Sequence, residues 1–164
     1  MIRAAEAGDD AAIAALWNTV IAAPHITFTT VPKTASDIAA QRALHPVLVA
    51  GAVDGFATFG PFRGGPGYAK CAELSVHVAE HARGKRIGFA LVTALEEVAS
   101  AQGLDVLVAG ISGANPGAQT FFARLGYAHV GNMLGIGAKH GRRYDLVLMQ
   151  KYLPSHPDFG LPER

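Results

Sequence analysis

Two patterns in this chain of 164 residues predict an α/β (α+β) fold. The first is a strand–helix–strand unit: a strand ending at Val78, a helix starting near Ile87, and the apolar run Val106 to Ile111. A helix between two such strands gives a parallel pair with a right-handed crossover, and an unbroken apolar run suits a strand covered on both faces. The second is Asp54-Gly55 between the runs Val47–Val53 and Phe56–Phe62, a strong hairpin signal that makes those neighbours antiparallel.

The chain opens with a short strand, Met1 to Ala5, and a helix from about Asp10 with Asp9 or Asp10 as N-cap. Ile13, Leu16, Trp17, Val20 and Ile21 give that helix one apolar stripe, and Pro24 closes it. Residues 28–34 read as irregular, with Phe28 either a staple on the core or a pocket wall. Thr34 or Ser36 caps a second helix ending near Ala43. After the hairpin and a turn at Gly64–Gly67, a strand runs from about Tyr68 to Val78. Leu74, Val76 and Val78 point one way along it and Glu73, Ser75 and His77 the other. The central helix carries Ile87, Leu91, Leu95 and Val98 on one face and ends at Gly103. Asn115-Pro116 opens the last helix as N-cap and N1, with Ala118, Phe121, Phe122 and Leu125 inward and Gly126 at its end. Strands at Tyr127–Ile136 and Tyr144–Gln150 follow. The expected organisation is one domain over residues 1–153 and a proline-rich C-terminal extension over 154–164.

Half of the chain is hydrophobic and only 16% charged, which favours a compact enzyme or an oligomer with a buried apolar face. A net charge of +1 gives no electrostatic argument for nucleic acid or membrane partners. Cys71 is the only cysteine, so there is no disulfide framework or cysteine metal site, and no metal is expected. With Arg3, Glu6, Asp9 and Asp10 no signal peptide is expected, no apolar run reaches the ~18 residues of a span, and the expected location is cytoplasmic.

The turn Arg83-Gly84-Lys85-Arg86-Ile87-Gly88 sits at a helix N-terminus, where unpaired N–H groups and the dipole favour an anion such as phosphate or pyrophosphate. The bland alternative is a solvated basic turn. It lacks G-x-G-x-x-G, and the chain has no G-x-x-x-x-G-K-S/T. The Glu73, Ser75, His77 face just before it either serves acid–base work or is simply solvated.

R-G-K-R-I-G resembles the acyl-CoA pyrophosphate loop of the GNAT acetyltransferases, Q/R-x-x-G-x-G/A, with Arg86 in place of the first glycine. The element order over about residues 1–152 also resembles the GNAT fold, which implies a mixed central sheet with helices on both faces. Further stretches are similar to the phosphinothricin or methionine sulfone N-acetyltransferase branch. Phe28-Thr29-Thr30-Val31-Pro32-Lys33-Thr34 matches F-x-T-x-P-x-T/S, and Gly60-Pro61-Phe62-Arg63 with Tyr68 resembles G-x-W/F-R…Y. Glu73 to Val78 resembles E-x-S-V-Y-V with His77 for tyrosine, and Gly137 to Asp145 resembles G-x-K-H/F-G-x-W-x-D.

The resemblance implies acetyl-CoA as co-substrate and direct acetyl transfer to the α-amino group of a small amino acid or analogue. Glu73 would be the general base, with Val76, His77 and Val78 along the pantetheine arm. Residues Arg83, Gly84, Lys85, Arg86, Ile87 and Gly88 would hold the pyrophosphate, and Asn115 the pantetheine in addition to its cap. Arg63 would meet the substrate carboxylate as a bidentate counter-ion or stay an exposed hairpin arginine. Phe28, Phe59 and Tyr68 would wall the pocket beside Ser75. Phe122 replaces the tyrosine that often protonates the thiolate, which makes His140 a candidate accessory group; His77 offers a second titrating group near Glu73. A homodimer is expected. Other readings stay open: acetylation of a polyamine or a protein N-terminus, or a non-catalytic acyl-CoA-binding module.

Overall fold

The computed structural model describes residues 1–154, and the expected C-terminal extension beyond Pro154 lies outside them. Its strands are β1 (Ile2–Ala4), β2 (Val47–Ala50), β3 (Gly55–Pro61), β4 (Cys71–Val78), β5 (Val106–Ser112), β6 (Ala128–Lys139) and β7 (Arg142–Tyr152). The helices are α1 (Asp10–Ala22), α2 (Ala35–Leu44), α3 (Ile87–Ala101) and α4 (Pro116–Arg124). The strands form one mixed sheet in the order β1-β2-β3-β4-β5-β7-β6, in which only β4 and β5 are parallel. No helix among the described residues is long and apolar enough to cross a membrane.

Each sheet face has its own core. Leu91, Val92 and Leu95 of α3 and Phe122 of α4 pack with Phe59, Leu74 and Leu107 on one face. Ile13 of α1 and Ile38 of α2 pack with Val49 and Phe56 on the other. Burying an Ile or Phe side chain contributes roughly 1.5–3 kcal/mol, so these stripes hold the helices down. An ion pair adds direction: Arg42 of α2 donates to both carboxylate oxygens of Asp10 in α1 at 2.6 and 2.9 Å.

Local signals mostly hold. Thr34 caps α2, accepting from the Asp37 N–H at 3.2 Å while Asp37 accepts from the Thr34 N–H at 2.7 Å. Asn115 caps α4 by accepting from the Ala118 N–H at 3.2 Å. Asp9 precedes α1 without capping it; its carboxylate instead faces back to Arg3 and to the Glu6 N–H.

Three boundaries are corrected. The β2–β3 hairpin is not a two-residue Asp54-Gly55 turn. Ala50 pairs with Gly55 across a four-residue loop in which Gly51 and Val53 hold positive φ of 56° and 69°. The strand expected from Tyr68 begins at Cys71, because Pro66–Tyr68 coils into a single 3-10 turn. Strands β6 and β7 run almost to each other: His140 and Gly141, with φ of 49° and 75°, form a two-residue turn between Lys139 and Arg142. Register shifts between His129 and Gly131 and between Met133 and Gly137 interrupt the alternation of β6, which is found where expected but runs on past Ile136 to Lys139.

Candidate active site

The parallel pair is short. Strand β4 stays with β5 only from Cys71 to Leu74, opposite Val106 to Ala109, whereas β5 follows β7 up to Ser112. The end of β4 therefore parts from β5. Ala79 N–H donates to the Asp54 carbonyl at 2.8 Å, and the alternation of an antiparallel ladder then turns His77, Ser75 and Glu73 main-chain groups toward β3. Those of Val76 and Val78 project into the gap. A cleft of about 650 Å³ opens there, lined by Phe28, Glu73, Ser75, Val76, His77, Val78, Arg83 and Asn115, among others.

Glu73 lies where the strands part. A Cβ on Gly110 of β5 would sit 2.7 Å from Glu73 Oε1, so the missing side chain makes the space the carboxyl occupies. Glu73 is open to the cleft, yet partial burial of its carboxyl raises its pKa above the ordinary value. Two residues along the same face, Ser75 follows, and then His77 runs in beneath α1. The His77 ring lies 5.3 Å from Phe56 and 6.0 Å from Trp17, centroid to centroid, and burial lowers its pKa to about 4. It is neutral at pH 7 and supplies no second titrating group there.

That burial sets a stability slope. Between the unfolded pKa of 6.5 and the folded value of about 4, the unfolded chain takes a proton that folded His77 refuses. Stability present above pH 6.5 is therefore lost as pH falls to 4, by about 3 kcal/mol in all. His77→Phe should flatten this part of the pH dependence of the urea midpoint; an unaltered slope would contradict the burial.

The opposite wall is the 23–34 segment. The Phe28 ring stacks on Tyr144 with centroids 5.9 Å apart and planes 17° apart. It lies so close over Gly137 that a Cβ there would overlap the ring. Phe28 is thus both held against β6–β7 and a wall of the cleft. Lys139, only 3% exposed, donates from Nζ to the Ile21, Ala23 and Thr27 carbonyls, tying the end of α1 and this segment to β6. Asn18 grips the other end, accepting from the Lys33 N–H at 2.7 Å and donating to the Lys33 carbonyl at 2.9 Å.

At the mouth, Arg83 lines the cleft and the exposed residues Gly84, Lys85 and Arg86 lead into α3. Gly84 has φ 77°, and Arg86 takes φ 60° as the residue preceding α3. Arg86 thus adopts the left-handed backbone a glycine would supply, at a cost of roughly 1–2 kcal/mol. Ile87 starts the helix, and Gly88 lets Phe121 of α4 approach: a Cβ there would meet its ring at 3.2 Å. Phe122 lines the inner cleft without a proton to give.

Four expected site residues lie elsewhere. Phe59 pairs with Leu74 and therefore shares the α3 face of the sheet; Glu73 shares its face with Gly60. Phe59, Arg63 and Tyr68 do meet, but in a second recess of about 400 Å³ with His45 and Cys71, where Arg63 lies 5.7 Å from the Tyr68 ring centroid. His140, at its hairpin tip, lines a surface recess with Asn18, Thr30 and Pro32. Half-buried Cys71 has its thiol pKa raised by desolvation and by Glu73, the opposite of an activated nucleophile. Lys33 and Gly110, which do border the cleft, were outside the expected set. A glycine inside the apolar run of β5 was the available sign of a close approach.

Residues 16–127 match the Acetyltransferase (GNAT) family. The L-methionine sulfoximine/L-methionine sulfone acetyltransferase of Pseudomonas paraeruginosa is 41% identical over 116 residues, covering 68% of this chain and 67% of that one. The phosphinothricin N-acetyltransferase of Streptomyces viridochromogenes is 32% identical over 168 residues, 98% of this chain and 88% of that one. Among solved structures, the GNAT superfamily phosphinothricin acetyltransferase of Sinorhizobium meliloti in complex with AcCoA superposes with a TM-score of 0.90 at 30% identity, over 99% of this chain and 93% of that one. With its parted parallel strands and basic loop at the head of α3, this chain belongs to the GNAT family and is an acetyl-CoA-dependent N-acetyltransferase.

Proposed function

We propose that the chain acetylates the α-amino group of a small amino acid or analogue of the methionine sulfone, methionine sulfoximine or phosphinothricin type, by direct transfer. The observation that carries this reading is Glu73 at the parting of β4 and β5, beside main-chain groups of Val76 and Val78 that face the gap. Acetyl-CoA supplies an acetyl group activated as a thioester. The residues present fit it: Val76 and Val78 offer main-chain donors and acceptors for a pantetheine arm, as an added strand would use them. Arg83, Lys85, Arg86 and the first N–H groups of α3 offer positive potential to the pyrophosphate. Asn115 faces the cleft from the other lip, although its Oδ1 already caps α4.

The amine arrives protonated and cannot attack. Glu73 takes its proton, directly or through one water, and the raised pKa of its carboxyl brings it closer to the range where a base works at neutral pH. A backbone N–H of the Val76–Val78 edge polarises the thioester oxygen. The free amine adds to the thioester carbon and the C–S bond breaks as the adduct collapses. The nitrogen sheds its surplus proton to water, and since Phe122 has no proton to donate, the departing thiolate takes its proton from solvent. Relatives acting on amino-acid analogues support the substrate class. The test is thiol release from acetyl-CoA with methionine sulfone, methionine sulfoximine, phosphinothricin, common amino acids and spermidine. Turnover confined to amino acids agrees with the reading, whereas spermidine as the best substrate sinks it.

Supply of acetyl-CoA fits action in the cytoplasm. We also propose a homodimer built on β6, the sheet's edge strand, which exposes Val130, Met133, Leu134 and Ile136 by 43–79%. Leu134→Lys should sediment as a monomer where the wild type sediments as a dimer; a monomeric wild type ends this proposal.

A further inference from the structure

We propose that Lys33 is the cation that receives the substrate carboxylate, and so selects an amino acid over a plain amine. The inference rests on the amino-acid reading above and names the group that carries it. With Arg63 in the other recess, the cleft-lining cations among the described residues are Lys33 and Arg83, and Arg83 is continuous with the basic loop at the head of α3. Among the described residues, the only carboxylate lining the cleft is Glu73. A zwitterionic amino acid matches this arrangement, with its ammonium toward Glu73 and its carboxylate toward Lys33. A polyamine would bring a second positive charge against Lys33.

The residue is built for a fixed charge. Asn18 holds its main chain on both sides, at 2.7 and 2.9 Å. Its Nζ stands 5.2 Å from the Trp17 ring centroid, an aromatic face that favours a cation and limits where it can go. No ion pair within the described residues uses this ammonium. Asp37, whose carboxyl feels the charge, is occupied by its cap bonds to Thr34. The ammonium is therefore available to an incoming anion.

The test compares methionine sulfone with the corresponding sulfone amine that lacks the carboxylate, on wild type, Lys33→Met and Lys33→Arg. Met keeps the apolar stem over Trp17, and thermal melts check that each variant folds. Lys33→Met should raise the KM for methionine sulfone about 10- to 100-fold, the scale of a lost hydrogen bond to a charged group. The effect on the carboxylate-free amine should be at least about ten-fold smaller, and Lys33→Arg should recover most of the loss. Equal effects of Lys33→Met on the two substrates, or none, overturn the role of Lys33 and leave the amino-acid reading standing. A wild type that prefers the carboxylate-free amine overturns that reading itself, and this inference with it.

Discussion

Glu73→Gln is expected to lower kcat for amino-acid acetylation by about 10²- to 10⁴-fold, the usual contribution of a positioned general base. Affinity for CoA should change by less than about two-fold, because the exchange leaves the Val76 and Val78 main chain and the basic loop at 83–88, the groups that would hold CoA, unaltered. The exchange is nearly isosteric, and the space over Gly110 accepts an amide as it accepts the carboxyl. What the amide cannot do is take a proton. Burial raises the Glu73 pKa, so the carboxylate form is gained as pH rises through a value above the ordinary one. The acid limb of kcat/KM should therefore lie above the usual carboxylate range in wild type and vanish in the variant. A loss of less than about ten-fold, with the acid limb unmoved, would assign proton removal to another group.

The largest expected loss of stability comes from Lys139→Met. The side chain is 3% exposed, and its ammonium donates to main-chain carbonyls of Ile21, Ala23 and Thr27, which lie more than a hundred residues earlier in sequence. Met fills the channel of the aliphatic stem but leaves those oxygens without a donor. Hydrogen bonds to charged groups contribute roughly 1.5–3 kcal/mol each, and solvent can reach the partly exposed Ala23 and Thr27 ends. A net loss of about 3 kcal/mol is the expectation, read as a lower urea midpoint at unchanged m-value. Ile21 lies in the last turn of α1 and Ala23 is its C-cap, so the cation also offsets the negative end of that helix. Since the same bonds hold the segment carrying Phe28, KM for the amino acid should rise with the loss of stability. A midpoint shift equivalent to less than about 1 kcal/mol would mean that packing alone holds α1 and the cleft wall.

Elements with a regular period were legible in the sequence. The α1 and α3 stripes, the Thr34 and Asn115 caps and the apolar run of β5 all depend on local spacing, and spacing is what a sequence displays. The hairpin at Asp54-Gly55 misled because register decides a turn: positive φ at Gly51 and Val53 allowed a longer loop that a dipeptide motif cannot reveal. Strand β6 was cut short by glycines and bulges that break alternation. In the site, side-chain parity correctly grouped Glu73, Ser75 and His77. Carried across to β3, the same parity would have excluded Phe59, because Gly60 and Thr58 are the partners of Glu73 and Ser75. Arg63 and His140 depend on where loops travel, which no periodicity encodes. Lys33 was visible within the segment 28–34, but the role proposed for it rests on its placement by Asn18 and Trp17, on a helix one loop away.

The most direct measurement is a crystal structure of the protein with CoA and methionine sulfone bound. The pantetheine arm should lie in the gap beside Val76 and Val78, with the pyrophosphate at residues 83–88. The amine should lie within hydrogen-bond reach of Glu73, directly or through one water, and the carboxylate at Lys33. An amino acid bound instead in the recess of Phe59, Arg63 and Tyr68, with the cleft beside Glu73 left to solvent, would contradict this arrangement.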